Sequence, residues 1–320
     1  MPKLYPGRIM SPPKTYNDLN TYLREMFGCR VQKITIDAGF SCPNRDGTVA
    51  TGGCIYCNDR GSGNGAYAQG ISITEQLLKG KVRLAARYKA KKFIAYFQSF
   101  SNTYAPVATL KRLYDEALAV DDIVGLFIGT RPDCVDSSVL DLLAGYAADH
   151  LVFLEFGLQS AHDNTLALIN RGHDAECFKT AVSEAHKRGL KVCAHVILGL
   201  PGETRQHVIE TALFLGDHGI EAVKIHLLYV IKGTRLENLY RQETYRCLSQ
   251  AAYADLACDF LEHLPPRVII QRLTGDPHPT ELVAPGWALR KTETLNLIRN
   301  KLEQRGTWQG KAVGNHTSIS

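Results

Sequence analysis

Three cysteines stand close together near the start of the chain: Cys42, then eleven residues, then Cys54-Ile55-Tyr56-Cys57. Two thiols two residues apart, with a third on the same glycine-rich loop, make a trident. Three thiolates can hold three corners of a cuboidal iron–sulfur cluster and leave the fourth iron open. An open iron accepts a cofactor or a substrate, so the pattern points to chemistry rather than to a structural clasp.

Two other uses of cysteine fit less well. A structural zinc takes four protein ligands, usually as two close pairs or as Cys with His. No second pair follows the trident, and the next histidine downstream is His150. A disulfide framework is a poor match for nine cysteines, an odd number, in a chain long enough to build its own core.

Further chemistry-bearing residues gather where β-like runs end. The trident is followed by RGSGNGAY (60–67), whose glycines let backbone pass close to a bulky group. One run ends in Gln98-Ser99-Phe100-Ser101-Asn102 and another in Gly129-Thr130-Arg131-Pro132-Asp133. A third carries Glu155-Phe156-Gly157-Leu158-Gln159-Ser160, with Asn170-Arg171-Gly172-His173 close behind. An arginine fork such as Arg171 grips a carboxylate bidentately and fixes its orientation. Glu155, mid-run, needs a partner such as Lys224 or Arg131 if it is buried. A fourth run gives His195-Val196-Ile197-Leu198-Gly199-Leu200-Pro201-Gly202-Glu203-Thr204. In a last one Lys224 and His226 alternate, so they share a face. For His195, Lys224 and His226, satisfied core polars and ligand contacts both remain open.

Together these motifs resemble the radical S-adenosylmethionine (SAM) superfamily. Within it, the long interval between the first two cysteines is similar to the branch holding the elongator catalytic subunit and the YhcC/YtqA-type proteins. The resemblance implies a single 4Fe–4S cluster on Cys42, Cys54 and Cys57, with SAM chelated on the open iron. It implies cofactor contacts from Tyr56 beside the adenine, Gln98 near the amino end, Thr130 at the end of the third strand, Gln159 at the ribose or methionine portion, His195 at the ribose, and Arg171 at the carboxylate. The Gly-Gly-Glu that many relatives carry after the second strand is absent, as is the Glu that the branch often has at Gly129. The implied activity is an oxidoreductase- or transferase-type enzyme that cleaves SAM reductively to a 5′-deoxyadenosyl radical. Maturation of a tRNA wobble uridine is the implied substrate chemistry, and a flavodoxin- or ferredoxin-type protein the implied electron donor. A small molecule or protein side chain as substrate, and a non-catalytic zinc- or cluster-containing RNA-binding module, are the alternatives.

The elements that position these motifs alternate. KITIDA (33–38), KFIAYF (92–97), IVGLFIG (123–129), LVFLEFG (151–157), KVCAHVILG (191–199) and AVKIHLLYV (222–230) are nearly continuous apolar runs. Such runs suit parallel strands covered on both faces. Helical patterns lie between them, with Asp136 and Asp174 placed to cap N-termini and Gly189 and Gly219 to end helices. Spacing alone fits either a doubly wound sheet or an incomplete barrel. The resemblance implies the latter, a partial (β/α)6 TIM-like barrel with its chemistry at the C-terminal strand ends. Near residue 240 the alternation stops. A helical run ETYRCLSQAAYADLACDFLEHL, a β-like RVIIQRL and a last helix TETLNLIRNKLEQR then suggest a small α+β extension. The expected layout is an N-terminal extension over 1–16, a core domain over 17–257 and the C-terminal extension over 258–320.

Composition is that of an ordinary globular protein: 320 residues, 45% hydrophobic and 22% charged. No apolar run reaches membrane-spanning length and the N-terminus has no signal-peptide core, so no membrane contact is expected. Free thiols and an oxygen-sensitive cluster suit the reducing cytoplasm. A net charge of +5 is only mildly basic. One acid-free stretch, Lys79 to Lys92, sets cations around Leu77, Leu78, Val82, Ala85 and Tyr88 at helical spacing. It reads either as a solvated face or as a surface for an RNA backbone.

Overall fold

A computed structural model describes residues 15–59, 61 and 65–313. Most of the expected N-terminal extension, and residues 60 and 62–64 of the glycine-rich loop, lie outside the described residues.

The chain runs α1 (Leu19–Phe27), β1 (Val31–Ile36), α2 (Ile73–Tyr88), β2 (Lys92–Phe97), α3 (Val107–Leu118), β3 (Ile123–Thr130) and α4 (Ser137–Ala147). It continues with β4 (Leu151–Gln159), α5 (Asp163–Leu168), α6 (Ala175–His186), β5 (Lys191–Leu198), α7 (Arg205–Asp217) and β6 (Ala222–Leu227). The last part holds β7 (Val230–Ile231), α8 (Arg235–Arg241), α9 (Gln250–Glu262), β8 (Ile269–Arg272), β9 (Leu282–Ala284) and α10 (Lys291–Gln304).

Strands β1 to β6 lie side by side in chain order, all parallel, and curl into a half-barrel with helices outside. The six apolar runs become these six strands. A seventh joins them: β8, from the C-terminal extension, pairs parallel to β6. The expected half-barrel therefore gains one strand that its own sequence pattern did not assign to the sheet. Short β7 and β9 form a separate antiparallel pair.

The two sheet faces bury different cores. Outward residues such as Ile34, Phe97, Ile128, Phe156, Val192 and Ile225 pack under the helices. On the concave face, Val31, Ile94, Phe127, Phe153, Cys193 and Ala222 form a floor that Leu19 and Leu23 of α1 close. A strand shows alternate residues to opposite faces, so the layer above this floor is Lys33, Tyr96, Glu155, His195 and Lys224.

Caps follow the sequence. Asp136 accepts the Val139 amide at 2.9 Å and Asp174 the Cys177 amide at 2.8 Å. The long helix expected from Glu243 begins only at Gln250, because Ser249 caps it by accepting the Ala252 amide. The face of α2 also differs from expectation. Leu78 and Val82 are exposed, while Ile73, Gln76, Leu77 and Gly80 are buried. Gly80 sets that face: a Cβ there would lie 2.4 Å from Ile34, so helix and strand meet at the glycine.

Candidate functional site

The trident is folded by its own backbone. The Cys57 amide donates to the Cys54 carbonyl at 3.0 Å, and the Cys42 carbonyl accepts from the Arg45 amide at 2.9 Å. Arg45 then reaches back and donates to the carbonyls of Cys57 and Asn58 at 3.1 and 2.6 Å. One side chain thus straps the distant first cysteine segment to the Cys54–Cys57 turn. All three thiols are free, and Cys54 is buried. Burial pushes the Cys57 thiol up to about 11, and Cys54 and Cys42 push it the same way, against the pull of Arg45. Three free thiols brought onto one strapped loop, with the Cys57 thiolate disfavoured until a cation offsets its burial, form a donor set that fits a metal core bound by thiolates.

The other wall comes from β4 and the segment after α5. Arg171 is buried; its Nε and Nη2 donate to the Gly157 carbonyl at 3.1 and 2.6 Å, and its Nη1 to Cys54 Sγ at 3.6 Å. A side chain at Gly157 would displace this arrangement, since a Cβ would sit 2.6 Å from Arg171 Nη2 and 2.7 Å from Gln159 Nε2. The segment around Arg171 is stitched to the trident. The Ile55 amide donates to the Ile169 carbonyl, the Asn170 side chain to the Gly53 carbonyl, and the Asn44 side chain to the Asn170 carbonyl. Arg131 braces it from behind, with one arm on the Arg171 carbonyl at 2.8 Å and the other two on Asp133 at 2.8 and 2.6 Å.

Tyr56 lies in the same nest. Burial raises its phenol, Cys54 adds to the effect, and Arg171 opposes it. Gln159 sits at the rim of β4 with a positive φ of 78°, where a register shift against β5 turns the strand end. Gln98 is half-buried at the end of β2, beside the Gly129 backbone. The Thr130 hydroxyl is engaged elsewhere, sharing a hydrogen bond of 2.6 Å with Thr103. His195 points down the lumen: its Nε2 lies 2.9 Å from Glu155 Oε2. Lys224 is the second partner of that carboxylate. The structure therefore gathers Cys42, Cys54, Cys57, Tyr56, Gln159 and Arg171, and places Thr130 and His195 in neighbouring networks.

Several contributors carried no warning in the sequence. Asn44 donates to Cys54 Sγ at 3.7 Å, and Arg45 and Asn170 hold the loops together. Their one signal is position, next to a cysteine or to Arg171. Among the described residues, Asn44 Oδ1, Ser99 Oγ and Asn102 Oδ1 are buried without a hydrogen-bond partner. These orphaned atoms border the loops around the trident; buried polar atoms left unpaired ask for a ligand.

The wider relationships agree with this geometry. A profile described as the radical SAM superfamily matches residues 46–215, and one described as the radical SAM C-terminal domain matches 220–304. YtqA of Bacillus subtilis is 44% identical over 298 residues, covering 93% of this chain and 92% of its own. YhcC of Escherichia coli K12 is 39% identical over 306 residues, covering 95% and 97%. Elongator complex protein 3 of Saccharomyces cerevisiae is 31% identical over a stretch covering 56% of this chain but 32% of its own length. Among solved structures, the archaeal Methanocaldococcus infernus Elp3 shares the fold with a TM-score of 0.67 at 17% identity, covering 87% of this chain and 64% of that one.

Proposed function

The chain belongs to the radical SAM superfamily, and from that membership we propose that it holds one 4Fe–4S cluster on Cys42, Cys54 and Cys57 and cleaves SAM reductively at the open iron. When bound, the cluster and SAM together supply the one-electron chemistry that releases a 5′-deoxyadenosyl radical. The observation that carries this reading is the meeting of three free thiols with one immobilised guanidinium at the mouth of the half-barrel.

The chain's own groups then have distinct tasks. Arg171 supplies a fixed positive charge beside Cys54, where the SAM carboxylate needs one. Its bonds to the Gly157 carbonyl hold that charge in place before any ligand arrives, which saves ordering entropy at binding. Ser99 and Asn102, with their unpaired buried oxygens, offer acceptors for the amino group, a task for which the missing Gly-Gly-Glu leaves room. Gln159 at the rim reaches the nucleoside, and Tyr56 covers the adenine side. The floor closed by Leu19 and Leu23 excludes water from below.

For the substrate we take a tRNA wobble uridine, the chemistry implied by the resemblance to the elongator branch. Lys79, Arg83, Arg87, Lys89 and Lys91 are exposed on and just after α2, a basic stripe suited to an RNA backbone. A flavodoxin- or ferredoxin-type donor supplies the electron. No helix among the described residues is long and apolar enough to cross a membrane. The test is anaerobic reconstitution with iron, sulfide, dithionite and SAM, assayed for 5′-deoxyadenosine. Bound zinc with no iron, or no deoxyadenosine from protein holding four irons, overturns the reading. Salt-insensitive or absent tRNA binding removes the tRNA part alone.

A further inference from the structure

Between the apolar floor and the trident lies a charged layer that the mouth chemistry leaves unused. Glu155 is fully buried there. Its Oε2 takes both the Lys224 ammonium and His195. Lys33 and Arg272 share the layer, and among the described residues neither has a carboxylate at ion-pair distance; Lys33 donates to Gln271 Oε1 at 2.9 Å instead. Arg272 arrives through a register shift in β8 that sets it opposite Lys224. Three basic side chains therefore face one carboxylate inside the barrel. Burial, and then Lys224, hold the Lys33 ammonium well below the ordinary lysine range, with Glu155 too weak to offset them.

Among the described residues, three polar atoms here are buried without a partner. Two are nitrogens, Gln271 Nε2 and, two residues beyond Lys224, His226 Nε2; the third is Glu155 Oε1, the remaining oxygen of the one carboxylate. Burial keeps His226 neutral, so one tautomer makes Nε2 a donor too. Basic side chains that outnumber the acid, with unsatisfied donors among them, suit a ligand that brings negative charge and accepts hydrogen bonds.

A metal ion is the rival occupant. The donor atoms of Glu155, Cys193 and His195 lie within 4.8 Å of one another. Yet Lys224 and His195 already share one oxygen of Glu155, and burial together with Glu155 pushes the Cys193 thiol well above its usual range. A divalent cation would add charge to a lumen already in cationic excess.

We propose that this inner layer is the substrate subsite, and that Lys33 and Arg272 receive a carboxylate on the group that reacts; uridine itself has none, so on a wobble uridine this is an acidic substituent that the base already carries. Glu155 stands two residues before Gly157, whose carbonyl holds Arg171, so the subsite lies about 7 Å below the mouth. A bound acid would thus present its neighbouring carbon to the radical formed above. The proposal rests on the reading of the mouth as the radical-generating site, since only then is a lumen ligand a substrate. A singly charged carboxylate matches better than a dianionic phosphate, because Glu155 already offsets Lys224 and burial disfavours the charge on Lys33, which leaves little charge to balance.

The test uses the reconstituted holoprotein and sodium malonate as probe, read by isothermal titration, with sodium chloride at matched ionic strength and sodium phosphate as controls. Malonate is expected to bind saturably where chloride does not. Arg272→Gln and Lys33→Gln should each weaken it at least tenfold, and Arg272→Lys should recover part of the loss. A cation kept for a ligand is a liability without one, so Arg272→Gln should melt no lower than wild type in malonate-free buffer. Absent malonate binding, tighter binding of phosphate, undiminished binding in both Gln variants, or a markedly lower melting temperature for Arg272→Gln overturns the proposal. So does stoichiometric zinc that Cys193→Ser releases. Deoxyadenosine formation by the wild type is scored separately: its failure sinks the radical reading, whereas the malonate titration alone decides the subsite.

Discussion

Arg171 Nη1 stands 3.6 Å from Cys54 Sγ while its other two nitrogens share the Gly157 carbonyl. The guanidinium is thereby fixed between the Cys54 thiol and a strand end. Burial disfavours its charge, but Cys54 and then Tyr56 more than restore it. On the proposed reading, a charge held this way serves the SAM carboxylate beside Cys54. Arg171→Ala is expected to keep the iron content and to weaken SAM binding about 10- to 100-fold, the worth of one or two charge-assisted hydrogen bonds. Equilibrium dialysis against labelled SAM, with iron measured on the same sample, checks this; unchanged affinity would remove Arg171 from the site.

Gly157→Ala tests the ledge rather than the charge. The added methyl would stand 2.6 Å from Arg171 Nη2 and 2.7 Å from Gln159 Nε2, so both side chains must shift. SAM affinity should fall by about as much as in Arg171→Ala, and the double variant should lose little more, because both changes remove one interaction. Additive losses in that cycle would show that Gly157 acts independently.

Why the sheet is legible in the sequence and the lumen is not follows from the range of the interactions. KFIAYF stands as β2, Lys92–Phe97, because a parallel strand covered on both faces reads as an unbroken apolar run. The trident is legible because its three cysteines are near in sequence. Glu155 is legible as an acid in need of a partner, and Lys224 is that partner. Lys33 and Arg272 carry no such signal: they meet across more than half the chain, and a register shift that no local pattern announces brings Arg272 in. The same holds for α2, where Gly80, the point of closest approach to Ile34, sets the buried face that the apolar residues Leu78 and Val82 misstate.

Cys134 supplies a control that separates a three-thiolate centre from a four-thiolate one. Its thiol is pushed up to about 12 by burial, then by Asp133, and it is near enough to Cys42 to be affected by it. Cys134→Ser should retain the brown absorbance, four irons per chain and SAM cleavage. Cys42→Ser, Cys54→Ser and Cys57→Ser should each lose iron. Loss of the cluster in Cys134→Ser would make it a fourth ligand, close the open iron and end the SAM reading.

The lumen should make stability depend on acid in a defined window. Burial, and then Lys224, lower the His195 pKa from 6.5 to about 4, outweighing its bond to Glu155. The unfolded chain protonates this imidazole near 6.5, while the folded one keeps it neutral until about 4. Between those values the unfolded state binds the extra proton, so stability is full above pH 6.5 and falls as pH drops toward 4. At pH 5 the loss from this one group is about 2 kcal/mol, from 1.36 kcal/mol per unit of pKa difference. His226, likewise held well below its usual range by burial, adds a loss of the same sign. Urea unfolding at pH 7 and pH 5 measures it. His195→Gln removes the group, so its pH 5 penalty should be smaller than that of wild type by about 2 kcal/mol. Equal penalties in the two proteins would mean that His195 is solvated, and the lumen would then be open to water rather than sealed from below.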